Sequence, residues 1–342
     1  MGIRRFRILF LLLICFILSP VLYISLLTCR CRKEAKVDSL CPTQSRDSLC
    51  SSQRDNNAKD NLQENRRTSR HRYLLVIVII TGQDRREERR VMRNTWLANF
   101  DKTKVAVKFV IGTVGLNDED VRSLEQENNM HDDLLLLRHF REDFAMLSRK
   151  VLISLSWVVE NLDFDYLFKA DDDTYARLPL LLDELDKRQN PGRFYWGFFD
   201  GRSSVKRAGK WKESDWILCD KYLPYALGGG YILSHDLVKF IGLNKDYFKM
   251  FKNEDVSVGA WLAGIDMERQ HDRRFDTEYK SRGCHNSFIV THKQTVQDMK
   301  AKHQSLEQTG KLCPKEMMVR PSYEYNWNVL PSQCCQRNLR LP

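Results

Sequence analysis

The chain has 342 residues, 42% of them apolar and 29% charged, which is enough for one large or two modest cores and too apolar for a disordered or collagen-like polypeptide. Lysine and arginine exceed aspartate and glutamate by 55 to 45, but thirteen basic and six acidic side chains fall in residues 1–70, leaving 42 against 39 for the rest. The body is nearly balanced, which argues against a polyanion binder and gives no ground for nucleic acid as a partner.

From Ile8 to Cys29 the sequence ILFLLLICFILSPVLYISLLTC carries no charge. At about 1.5 Å per residue it is long enough for a hydrocarbon core of about 30 Å. The run is longer than the apolar core of a cleaved signal peptide and closes on SLLTCRCR, without small residues for cleavage, so it predicts a transmembrane signal-anchor. Basic residues flank both ends (Arg4, Arg5 and Arg7, then Arg30, Arg32 and Lys33), so charge does not orient it. The short head does: residues 1–7 read as a cytoplasmic tail, residues 8–29 as the anchor and everything after as translocated, a single-pass type II arrangement. Residues 30–72 are polar and read as a lumenal stem.

Residues 73–342 read as one globular body. YLLVIVII (73–80) is a strand buried on both faces, RREERRVMRNTWLANF (85–100) is helical in composition, and VAVKFVIG (105–112) is a second strand. DEDVRSLEQEN (118–128) reads as an acidic helix, DLLLLR (133–138) as a short strand, residues 144–162 as a five-turn helix and FDYLFKA (164–170) as another strand. This alternation predicts an α/β domain around a mostly parallel sheet, in which ligands bind beyond the carboxyl ends of strands. Five cysteines fall in the body, Cys219, Cys284, Cys313, Cys334 and Cys335. Their spacing gives no zinc pattern; a lumenal compartment permits disulfides, and the odd number leaves one without a partner in the body.

Asp171, Asp172 and Asp173 follow the strand FDYLFKA. Three adjacent carboxylates repel one another unless a cation or hydrogen-bond donors compensate them. Hard oxygens suit Mg²⁺ or Mn²⁺, with Asp171 and Asp173 facing one crevice and Asp172 turned away. The alternative is a turn in which Asp and Thr174 cap the next helix. Gly228, Gly229 and Gly230, in KYLPYALGGGYILS, allow either close backbone approach to a ligand or a flexible turn. The aromatic residues of FYWGFF (194–199), with Trp211 and Trp216, are sugar-stacking platforms or ordinary core, and core is the commoner fate. Glu254 and Asp255 open a helix, either complementing its dipole or supplying a general base. His292 ends an apolar strand as a metal ligand or a core residue.

In order along the chain, RRVMRNTW (89–96), YLFKADDDTYARL (166–178), YLPYALGGGYILS (222–234), NEDVSVGAWL (253–262) and VTHK (290–293) resemble the Golgi β-1,3-glycosyltransferase family. YWGFF, RFDTEYKSRGC and PSQCCQR are similar to its glycosaminoglycan-linker branch. The resemblance implies a GT-A-like nucleotide-sugar-binding domain with a mixed, mostly parallel sheet, anchored in the Golgi membrane. It implies Mn²⁺ held by Asp171, Asp173 and His292. It also implies a UDP-sugar donor contacted by Arg93, Asp171, Asp172, Gly229 and Gly230, although a salt bridge on the helix surface explains Arg93 almost as well. Asp255 is implied as catalytic base, with Glu254 as runner-up. The expected reaction is inverting transfer of galactose from UDP-galactose to the 3-hydroxyl of a terminal β-galactose, as on galactosyl-β-1,4-xylose of a proteoglycan core protein. A β-1,3-N-acetylglucosaminyltransferase and a non-catalytic, lectin-like Golgi protein are the alternatives. A phosphatase of the Asp-x-Asp-x-Thr/Val type departs from this sequence at Tyr175.

Overall fold

The computed structural model describes residues 71–188 and 192–341. The tail, the anchor and all but the last two residues of the stem lie outside the described residues. Among the described residues no helix is long and apolar enough to cross a membrane.

A seven-stranded sheet has the order β3-β2-β1-β4-β7-β6-β8. Its strands are β1 (Arg72–Ile80), β2 (Val105–Gly112), β3 (Leu134–Leu137), β4 (Asp163–Asp171), β6 (Phe194–Asp200), β7 (Tyr225–Ser234) and β8 (Glu268–His271). β1 runs parallel to β2 and β4, β2 to β3 and β6 to β8, whereas β7 is antiparallel to both β4 and β6. The expected mixed, mostly parallel α/β sheet is therefore present. Leu75 to Ile79 of β1 are fully buried, and burial on both faces explains their unbroken β-branched and leucine run. Each such side chain contributes about 1.5–3 kcal/mol relative to exposure.

The helices are α1 (Arg86–Arg93), α2 (Asp118–His131), α3 (Leu147–Asn161), α4 (Leu178–Asp186), α5 (His235–Leu243), α6 (Glu254–Trp261) and α7 (Val296–Thr309). α3 packs on α5 and α6, α6 on β7, and α1 on α7. The helix expected over 85–100 stops at Arg93. There the Leu97 amide reaches back to the Met92 carbonyl, and the tightened chain buries Trp96 and Leu97 together.

A small sheet orders β5 (Tyr175–Ala176), β11 (Val290–Thr291) and β9 (Phe275–Asp276). It brings a late segment of the chain against the residues that follow β4. A third ladder pairs β10 (Gly283–Cys284) with β12 (Met317–Met318). Cys284 is bonded to Cys313 and Cys334 to its neighbour Cys335, leaving Cys219 as an exposed free thiol. FYWGFF is core: its aromatic rings are all at most 1% exposed, and Trp216 is buried as well. Trp211 is half-buried, edge-on to Phe144.

Candidate functional site

β1 has β2 on one side and β4 on the other, so the chain changes direction across the sheet between β1 and β4. A crevice opens beyond strand ends at such a switch. Ile80 and Asp171 are paired where β1 and β4 end, and Ala170 is paired with Gly230 of β7. β11 is antiparallel to β5, with Thr291 opposite Tyr175, so His292 arrives beside Asp173. Gln294 N donates to Asp173 O at 2.8 Å, and His292 N donates to Asp276 O at 3.1 Å. The buried Arg282 supports Asp276 in turn, its backbone N and its Nε both donating to Oδ1.

His292 Nε2 lies 2.9 Å from Asp173 Oδ1 and 3.4 Å from Asp171 Oδ2. One ligand atom from each of Asp171, Asp173 and His292 falls within 4.8 Å of the others. Burial disfavours a charged imidazole, but the two carboxylates outweigh it and push His292 up to about 9. Burial likewise raises Asp171 and Asp173, yet Lys169 and His292 hold Asp171, and His292 holds Asp173, below the ordinary carboxylate range.

These residues fit a divalent metal. His292 Nδ1 is buried without a hydrogen-bond partner, and the buried Asp173 Oδ1 has only the His292 Nε2 contact. The ring of His292 also occupies space that only glycine leaves: a Cβ on Gly229 would sit 2.3 Å from Nδ1. Two carboxylates and one imidazole make a hard, mixed N/O set suited to Mn²⁺ or Mg²⁺. Asp172 turns away, its Oδ2 accepting from Arg85 Nε at 3.3 Å, and burial raises its carboxyl. The capping alternative is not realised, because Thr174 Oγ1 donates to Gly229 O and α4 starts without a side-chain cap.

Beside Asp173 opens a cleft of about 510 Å³ lined by Arg85, Glu88, Lys293, Gln294, Thr295 and Lys300. A cavity of about 540 Å³ between α4, α7 and the turn after α1 contains none of the candidate site residues. Lys293 has φ +63°, rare for a residue with a side chain and costing about 1–3 kcal/mol. Its Nζ lies 3.5 Å from Asp173 Oδ2.

Glu254 and Asp255 are the first residues of α6, as expected. The glycine triplet is not a turn but part of β7, and it makes room for side chains: a Cβ on Gly228 would meet Glu254 Oε1 at 2.7 Å. Glu254 Oε1 accepts from Lys169 Nζ and Oε2 from Tyr231 OH at 3.0 Å, so both oxygens are engaged. Burial raises Glu254 to about 7 against the pull of Lys169, with Asp255 and Asp171 adding to the rise. Asp255 is half-buried; Oδ2 accepts from Gly228 N at 3.0 Å and Oδ1 from Val256 N at 2.8 Å. Each oxygen takes one backbone donor and keeps acceptor capacity, and burial raises this carboxyl as well.

A sequence profile described as Galactosyltransferase matches residues 87–273, more than half of the chain. The chain belongs to the galactosyltransferase family. A Mus musculus relative described as beta-1,3-galactosyltransferase 6 is 48% identical over 278 residues, covering 80% of this chain and 86% of its own length. A probable beta-1,3-galactosyltransferase 3 of Arabidopsis thaliana is 31% identical, covering 65% of this chain and 59% of its own. The UDP-GalNAc:beta-1,3-N-acetylgalactosaminyltransferase 2 of Mus musculus is 29% identical, covering 58% of this chain and 38% of its own. The chain thus spans less than two thirds of the last two relatives.

Within this family member, Arg93 is the expected site residue that the structure keeps apart. Its guanidinium donates to Asp133 and Glu127, with all three contacts at 2.8 Å, and lies over the Phe109 ring. Asp133 precedes β3 and Glu127 lies on α2, so none of these contacts is with an expected site residue. Arg93 is thus engaged in a largely buried salt bridge rather than one on the helix surface. Sequence reasoning also missed Lys169, Tyr231, Arg85 and Lys293. Lys169 carried the one readable signal, a lysine placed two residues before an aspartate in a strand otherwise fit for burial.

Proposed function

We propose that this chain is a metal-dependent, inverting β-1,3-galactosyltransferase that moves galactose from UDP-galactose to the 3-hydroxyl of a terminal β-galactose. The acceptor in this reading is galactosyl-β-1,4-xylose of a proteoglycan linker, and the enzyme is a type II protein of the Golgi membrane. The carrying observation is the meeting of Asp171, Asp173 and His292 at one end of the glycine strand that also holds Asp255. The relative described as beta-1,3-galactosyltransferase 6 supports the donor and linkage.

Asp171, Asp173 and His292 would hold the metal, which when bound supplies charge neutralisation for the diphosphate. Arg85, Lys293 and Lys300 line the cleft beside Asp173 with Glu87 and Glu88, and would serve the phosphates by exchanging their carboxylate partners for them. Asp255 acts as base: it takes the proton from the acceptor hydroxyl as that oxygen bonds to the anomeric carbon. The bond from that carbon to the diphosphate oxygen breaks with its electron pair, and UDP departs. Attack opposite the leaving group turns an α-linked donor into a β-linked product, the single-displacement logic of inverting sugar chemistry. Glu254 is less suited to this step because it is buried and ion-paired to Lys169, whereas Asp255 is half-buried and held by backbone amides.

The test incubates the purified full chain with Mn²⁺, galactosyl-β-1,4-xyloside and equal UDP-galactose, UDP-N-acetylglucosamine and UDP-N-acetylgalactosamine, and reads the products by mass. Hexose addition in β-1,3 linkage is expected. Addition of an N-acetylhexosamine would replace the donor, and metal-dependent UDP binding without any product would remove this acceptor.

A further inference from the structure

We propose that Lys169 is a positioning residue that joins the metal pocket to the acid pair, so that Glu254 sets metal affinity without touching the metal. The inference rests on the reading of Asp171, Asp173 and His292 as metal ligands. Lys169 and Asp171 are two residues apart in β4, and the period of a strand puts their side chains on one face. Lys169 is 1% exposed, so its ammonium has no water to fall back on. A lysine has three donors, and here they meet three acceptors: Asp171 Oδ1 at 2.8 Å, Gly228 O at 2.6 Å and Glu254 Oε1.

This arrangement has two consequences. Asp171 is divided between its oxygens: Oδ1 is held by Lys169, while Oδ2 faces His292. Lys169 therefore decides which oxygen is presented to a metal and in what orientation. The second consequence concerns charge. One buried ammonium serves both Asp171 and Glu254, while Tyr231 OH holds the other oxygen of Glu254. If Glu254 becomes neutral, Lys169 leans wholly on Asp171 and compensates the carboxylate that the metal needs. Lys169 also holds the carbonyl of Gly228, whose amide holds Asp255, so the same side chain registers the base against the metal. Groups that orient metal ligands in this way typically change metal affinity about 10–100-fold when removed.

Mn²⁺ binding is measured by calorimetry on the full chain without donor or acceptor, for the wild type, Glu254→Gln, Lys169→Met and the double variant, with thermal unfolding recorded for each. Glu254→Gln is expected to weaken Mn²⁺ about 10–100-fold, and Lys169→Met, which loses the orienting bond but also the competing charge on Asp171, to weaken it less. The double variant is expected to be no weaker than Lys169→Met, because Glu254 acts through Lys169. Lys169→Met leaves two buried carboxylates without their cation; if it does not fold, Glu254→Gln and the charge-balanced double variant still decide. Unchanged Mn²⁺ affinity in Glu254→Gln, or fully independent effects in the double variant, overturns the inference alone. A wild type that binds no Mn²⁺ overturns the metal reading and this inference with it.

Discussion

Two clusters of charge in this domain differ in their balance: one joins α1, α2 and the residue before β3, the other gathers at the ends of β4 and α6 and beside β11. In the first, Arg89 and Arg93 share Glu127, and Arg93 also takes Asp133. Two cations meet two carboxylates, and every contact named is 2.8 Å. In the second, Asp171, Asp173, Glu254 and Asp255 surround Lys169 and His292, with His292 Nδ1 left without a hydrogen bond and Asp173 Oδ1 facing only the His292 ring. Balance and full hydrogen bonding mark a cluster that holds the fold. An acidic excess with an orphaned atom costs stability unless something binds, and that marks the site.

The largest effect expected from breaking this comparison is in the unbalanced cluster. Asp255→Asn should lower kcat about 10²- to 10⁴-fold while UDP-galactose binding persists, since it removes the proton acceptor and keeps the shape. Steady-state turnover paired with calorimetry of UDP-galactose checks it, and near-normal kcat would remove Asp255 as base.

The balanced cluster should respond in stability instead. Glu127→Gln leaves Arg89 and Arg93 short of a buried counter-charge and should cost about 3–5 kcal/mol in denaturant unfolding. The sign with pH follows from Glu127 itself. Burial raises its carboxyl, but Arg89 and Arg93 outweigh burial and hold it below the ordinary value of 4.5. Its contribution is therefore complete above that value and is lost as pH falls through the lower, folded value. Acidification should destabilise the wild type more steeply than Glu127→Gln, and parallel acid limbs would contradict this account.

A smaller effect is expected from Gly229→Ala. The added Cβ would sit 2.3 Å from His292 Nδ1 and push the ring out of line with Asp171 and Asp173. Mn²⁺ affinity should fall about 10–100-fold, as for other losses of ligand orientation, with the Glu127 cluster untouched. Unchanged Mn²⁺ binding would show that the glycine serves the backbone and not the histidine.

Much of the fold is legible in local pattern. The strand expected over 105–112 is β2 without a residue's change, and the acidic pair expected at a helix start opens α6. Periodicity fails where tertiary packing competes with it: α1 ends early because Trp96 and Leu97 must both reach the core. In the site, Asp171, Asp173 and Asp255 are readable as carboxylates at element ends. Arg93 is not separable by sequence from a phosphate-binding arginine, since its partners Glu127 and Asp133 lie 34 and 40 residues away.

The sequence by itself determined an α/β domain, the position of an acidic turn after a buried strand, and the residue types able to hold a hard cation, because these follow from periodicity and side-chain chemistry. Only the tertiary structure decided that the glycines clear space for His292 and Glu254 and that Lys169 joins the two acidic groups, and it brings His292 to Asp171 and Asp173 as the family resemblance implied. The physical reason is reach. A strand pattern specifies which face a side chain takes, but the pairing of β5 with β11 and of β4 with β7 is set by packing across the whole domain.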